Sequence, residues 1–180
     1  MQESGNQAPQ MPPEVARYLG GPPPESRQFD FLVGDWDVAA TRYKEDGSPL
    51  FQYKATWSAR SLNEGRMVMD DFKALAPTGQ PISSYVTLRT YCETTRRWEM
   101  VGLAALQPAA SAEWFGEFRD GEMLLDASGK DRDGHAVLTK IRFFAIAKDG
   151  FSWESKSSRD AGRTWTRTAS LVASRAPGTV

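Results

Sequence analysis

The chain has 180 residues, 40% hydrophobic and 11% aromatic, the size and composition of one domain with a substantial core. Its 22 basic and 23 acidic residues leave a net charge of -1, so no cationic excess exists to neutralise phosphates, and nucleic acid is not expected as a main partner. No polybasic stretch, basic amphipathic helix or apolar run of the ~18 residues of a membrane span is present, so no membrane association is expected.

One cysteine, Cys92, and one histidine, His135, fall short of the roughly four ligands of a structural zinc site, so no metal is expected. Cys92 reads as a small buried or half-buried residue. Residues 1–28 lack the apolar run of roughly 7–15 residues of a signal peptide, which with the single cysteine gives a cytoplasmic expectation. No Gly-rich phosphate loop or dinucleotide fingerprint occurs, and no cofactor is expected.

In chain order, residues 1–28 form a Pro/Gly-rich N-terminal arm. Met11-Pro12-Pro13 and Gly20-Gly21-Pro22-Pro23-Pro24 oppose regular structure, while Glu14 to Leu19 allows one or two helical turns. The arm is expected to be flexible and to lie over the folded domain, residues 29–175. That domain opens with a short helix or turn at Phe29-Asp30-Phe31-Leu32. After Gly34 the period becomes two: Trp36, Val38 and Ala40 alternate with Asp35, Asp37 and Ala39. Further strands are expected at Phe51–Ser58, Met67–Phe72, Ile82–Tyr91 and Trp98–Ala105. The second half of the chain adds Glu113–Phe118, Glu122–Ala127, Val137–Ala147, Phe151–Ser157 and Trp165–Ala173.

Asp46-Gly47, Asp120-Gly121, Asp133-Gly134 and Asp149-Gly150 carry the positive-φ chemistry of tight hairpins. About ten strands joined by short turns pair with their chain neighbours in antiparallel fashion. Such a run leaves two exposed edges unless it closes, which favours an all-β up-and-down barrel over a sandwich.

The candidate residues follow from the strand faces. Six tryptophans are many for this length. Trp36, Trp57, Trp98, Trp114 and Trp153 fall on apolar faces, where they either fill the core or line an aromatic cavity. Tyr53, Met69 and Arg167 join them as ligand-binding candidates. Asp70 and Asp71 are adjacent, so in a strand they face opposite sides, and an inward one becomes a desolvated base. Glu99, Glu113, Glu117 and Glu154 alternate with aromatics and are expected to face solvent. No Ser–His–Asp set can be assembled around the single histidine.

Gly34-Asp35-Trp36, following Phe29-Asp30-Phe31-Leu32, resembles the Gly-x-Trp signature of lipocalin-like (calycin) barrels. The resemblance implies that Trp36 plugs one barrel end against an arginine of the last strand, with Arg167 in that place. Gly65-Arg66-Met67-Val68-Met69-Asp70, Tyr91 to Trp98 and Ser158 to Trp165 follow in order. Together the four segments are similar to a family of uncharacterised lipocalin-like proteins over residues 29–173. The implied fold is a lipocalin-like antiparallel barrel, and no settled activity comes with it. The neighbouring nitrobindin-like barrels bind haem through a histidine. Here His135 sits in an Asp-Gly turn, so haem is not expected. Ser158 to Trp165 also resembles the Asp-box hairpin of sialidases, a structural turn in which Asp160 bonds to turn amides.

The expected function is binding of a small apolar or aromatic molecule inside the barrel. The alternative is a metal- and nucleotide-independent isomerase, cyclase or lyase acting on a small carbonyl compound. There Asp71 (or Asp70) is the base, and Tyr85, Arg89 or Arg167 stabilises developing negative charge. A third expectation is a structural barrel that forms a homodimer by exchanging the arm.

Overall fold

The computed structural model describes residues 11–105, 111–131 and 133–178. It opens with helix α1 (Pro13–Leu19) and a 3-10 helix at Pro24–Leu32. Ten strands follow: β1 (Gly34–Tyr43), β2 (Pro49–Leu62), β3 (Met67–Leu75), β4 (Pro81–Cys92) and β5 (Arg97–Ala104), then β6 (Ser111–Arg119), β7 (Glu122–Lys130), β8 (Ala136–Ala147), β9 (Gly150–Ser158) and β10 (Thr166–Arg175). Each strand is antiparallel to its chain neighbours, and β1 pairs with β10, so the sheet closes into a barrel. No described helix is long and apolar enough to cross a membrane.

The two-residue period decides which side chains share the interior. In β1, Trp36, Val38 and Ala40 are buried while Asp35, Asp37 and Ala39 are exposed. Closure aligns these with Trp57 and Ala55 on β2 and with Ala173 and Leu171 on β10. Burial grades along the barrel axis. Trp36, Trp98, Met123 and Phe143 at one end are 1% exposed or less, whereas Tyr53, Phe72, Trp114 and Trp153 toward the other are half-buried.

The tight end is sealed by the 3-10 helix. Phe29 and Leu32 are fully buried, and Phe29 meets Trp98 edge-on at 4.7 Å and Phe143 at 5.9 Å. Each tryptophan of this layer satisfies its indole donor. Trp36 donates to the Leu32 carbonyl at 2.7 Å, and Trp98 to Gln28 Oε1 at 3.0 Å. The arginine over Trp36 is Arg175, with its guanidinium 4.2 Å from the ring centroid and donating to the Lys148 carbonyl at 2.8 Å. This corrects the expectation for Arg167. Trp36 pairs directly with Arg175 across the β1–β10 seam, eight residues further along β10.

The described part of the arm rests on this end. Arg66 lies over the Tyr18 ring at 4.0 Å and donates to the Tyr18 carbonyl, and Arg17 faces Glu93 at 3.7 Å. Residues 1–10 of the expected arm lie outside the described residues.

Three of the Asp-Gly turns place glycine at positive φ: Gly47 at 81°, Gly121 at 79° and Gly134 at 84°. Gly150 differs. It starts β9 opposite Ala147, and the two-residue turn is Lys148-Asp149. Its lack of a side chain serves packing, because a Cβ would fall 3.0 Å from the Ala173 carbonyl oxygen. The Asp160 carboxylate accepts from Ser158 Oγ (2.8 Å), the Thr164 amide (2.9 Å) and Thr164 Oγ1 (2.6 Å). Those bonds hold Asp160 well below the usual carboxylate range and mark the hairpin as structural.

Phe29→Ala removes the ring at the centre of the plug and is expected to cost about 3–5 kcal/mol of unfolding free energy. Urea denaturation of wild type and variant measures the difference.

Candidate functional site

Above the plug the barrel interior is hollow. The cavity measures about 610 Å³ and reaches the opposite rim at Arg42, Phe51, Ile82 and Ala104. Trp57, Phe72, Trp114, Phe143 and Trp153 line it, with Tyr53, Tyr85, Thr87 and Ser155 adding hydroxyl groups. The Tyr85 ring lies against the inner face of β5 at Gly102, where a Cβ would fall 2.1 Å from the phenol oxygen, so the glycine makes room for it.

The same cavity contains an ion pair. Asp70 and Arg89 are 1% and 4% exposed, and the Asp70 carboxylate meets Arg89 Nη1. The sheet register makes this pairing. Asp70 sits opposite Thr87 on β4, and Arg89 sits opposite Val68 on β3, so the two side chains meet on the diagonal of one inward face. Arg89 also lies 5.0 Å over the Phe29 ring, which places the pair next to the plug. Burial pushes the Arg89 guanidinium down to about 9, still protonated at neutral pH.

The pair is under-satisfied. A guanidinium carries five N–H donors. Arg89 Nε is buried with no hydrogen-bond partner among the described residues, and the same holds for Trp57 Nε1. Buried donors without acceptors are costly and are rare in folded proteins.

Several sequence candidates lie elsewhere. Asp71 does not line the cavity. It faces outward with Lys73 Nζ at 2.8 Å and Ser84 Oγ at 2.8 Å. Partial burial raises its carboxyl, but Lys73 and Ser84 together outweigh that and hold it below its ordinary value. The inward carboxylate is Asp70, because period two from Val68 to Phe72 turns Asp70 in and Asp71 out. Met69 is outward for the same reason, 3.8 Å from Arg60 on the outer face. Trp36 and Trp98 belong to the plug layer, with their indole donors satisfied.

Arg167, although four residues from the inward Leu171, does not share its face. The ladder with β9 slips between Arg167 and Ala169, so Arg167 pairs with Lys156. The bulge turns it outward onto the Tyr43 ring at 5.5 Å and Glu154 at 3.1 Å. Glu154 in turn is not solvated as expected. It is 7% exposed, covered on the outer face by Arg167, Lys156 at 3.2 Å and Arg142 at 3.8 Å. Tyr53, Trp57, Tyr85, Arg89, Trp114 and Trp153 do line the cavity.

Two other features lie apart from the ion pair of Asp70 and Arg89. A more open hollow of about 1010 Å³ lies by the Leu75–Gly79 turn; of its charged residues Lys54, Glu154 and Arg167, the last two are already paired with each other. At the rim, ligand atoms of Asp131, Asp133 and His135 lie within 4.8 Å of one another. Asp131 there braces its own turn, accepting from the Asp133 and His135 amides and meeting Arg159. His135 is exposed and does not line the cavity.

No protein-family model matches the chain, and no curated protein sequence does either. Solved structures do. Rv2717c from M. tuberculosis superposes with a TM-score of 0.60 at 16% identity, covering 86% of this chain and 99% of that one. The S-type phycobiliprotein lyase CPES from Guillardia theta gives 0.58 at 13% identity, covering 86% and 93%. The chain shares their barrel fold.

Arg89→Met alone strands the Asp70 carboxylate in the interior and is expected to destabilise the fold by about 3–5 kcal/mol. Asp70→Leu combined with Arg89→Met removes both charges and is expected to recover most of that loss. Chemical denaturation of the single and double variants measures both.

Proposed function

We propose that this protein binds a small apolar or aromatic molecule inside the barrel. The observation that carries the proposal is the cavity of about 610 Å³, walled by Trp57, Phe72, Trp114, Phe143 and Trp153 and open at one rim. That volume falls within the range of ligand sites, and flat aromatic walls favour a flat apolar guest. Phe29, Leu32 and Trp36 close the other end, so a guest enters from the rim. A phycobiliprotein lyase of similar fold is consistent with a barrel that handles a small molecule.

Binding is favoured over proton abstraction by the state of the interior carboxylate. A general base needs a lone pair directed at substrate. Asp70 is instead engaged by Arg89, and Asp71 is outside the barrel. Arg89 and Tyr85 therefore act as polar contacts for a guest rather than as partners of a base.

Titration of intrinsic tryptophan fluorescence against a panel of apolar aromatic molecules, haem included, tests the proposal. Saturable quenching by at least one member is the expected result. Ala169→Phe places a ring in the cavity from a position that is 4% exposed. It is expected to weaken that binding about tenfold, or about 1.4 kcal/mol. A flat response across the panel from folded protein would falsify the proposal.

A further inference from the structure

Four buried polar atoms of the cavity lining lack a regular hydrogen bond among the described residues; Asp70 Oδ2 and Arg89 Nη1 face one another as an ion pair, and the two left over, Arg89 Nε and Trp57 Nε1, are donors. Arg89 meets a single carboxylate, that of Asp70, and its Nε has no acceptor among the described residues. Trp57 Nε1, a group that can donate but never accept, is buried without a partner among the described residues. Trp57 and Arg89 line the same cavity. A purely hydrocarbon guest would leave these already buried donors unpaired and their cost in place. A guest that brings an acceptor oxygen would remove it.

The charge balance decides which acceptor. Arg89 and Asp70 neutralise one another, so the buried pair has no net charge to offer. A carboxylate guest would form a triad of net charge -1 in a low-dielectric interior, next to the Asp70 carboxylate. That brings both repulsion and desolvation. An uncharged oxygen brings neither. Carbonyl oxygen has two lone pairs and no proton, which suits a set of unpartnered N–H groups.

Resting on the proposal that the cavity binds a flat apolar guest, we propose that its ligand is an uncharged aromatic carbonyl compound whose oxygen accepts from the Arg89 guanidinium and the Trp57 indole. The aromatic walls take the ring system, and the donors next to the plug fix its orientation. This assigns Arg89 and Trp57 as specificity residues, with Asp70 holding the guanidinium in place and cancelling its charge.

Three probes of nearly equal shape test the assignment: 9-fluorenone with a carbonyl, fluorene with a methylene in its place, and fluorene-9-carboxylate with an anion. Affinities are measured by calorimetry on the full chain, alongside the infrared C=O stretch of bound fluorenone. The expected result is fluorenone binding about tenfold or more tightly than fluorene and more tightly than the carboxylate. Its C=O stretch should fall below the value in hexane. In Trp57→Phe the fluorenone-to-fluorene ratio and the frequency shift should both shrink. The wild-type comparison stands alone if that variant does not fold.

Equal affinity for fluorenone and fluorene overturns the acceptor assignment while leaving the aromatic cavity intact. Tightest binding by the carboxylate overturns the charge argument and makes the cavity an anion site. Failure of all three to bind overturns both the assignment and the cavity reading it rests on.

Discussion

Closure of β1 onto β10 is the constraint on which the interior depends. Once those strands pair, every inward residue of ten strands is held in one enclosed space, and no edge remains for another chain to extend. Closure also sets Trp36 between Trp57 on one side and Arg175 on the other. The stacked Arg175, the bond from Trp36 to the Leu32 carbonyl and the Phe29 ring together make a solid end. A barrel with one packed end and one open end is a cup, and the cavity is its unfilled half.

The cup has a polar floor in an apolar wall, and this is where its physical tension lies. Asp70 and Arg89 are placed by register alone, on adjacent strands and one shared face. Their mutual attraction compensates for much of the desolvation, but a five-donor guanidinium facing one carboxylate is incompletely paired. In a core selected only for stability, two apolar side chains would serve as well or better. Retaining the pair beside an aromatic cavity fits a role in orienting a guest.

On the outside of the barrel, charge is organised differently. Glu154 is met by Arg142, Lys156 and Arg167 on the outer faces of β8, β9 and β10, and Arg142 also pairs with Glu122 on β7. These ion pairs tie four neighbouring strands together on the outside of the wall. The bulge before Ala169 is what assigns Arg167 to this cluster rather than to the interior.

Much of the architecture was legible in the sequence because it rests on local rules. Alternation fixed the ten strands to within a few residues, and the Asp-Gly turns implied neighbour-to-neighbour pairing. The Gly34-Asp35-Trp36 segment after Phe29 pointed to a plugged barrel end. Within β3, alternation also required that only one of Asp70 and Asp71 face inward. What the sequence could not supply was phase and register across strands. A one-residue slip exchanges the two faces of a strand. That exchange separates Asp70 from the expected Asp71, places Met69 outside, and removes Arg167 from the interior after a bulge with no sequence marker. The meeting of Asp70 with Arg89, 19 positions apart in chain order, came from the β3–β4 register, and that of Trp36 with Arg175 from closure of the seam. Side-chain period is a property of the chain itself. Which inward groups touch depends on how ten strands align around a ring, and only the tertiary structure fixes that alignment.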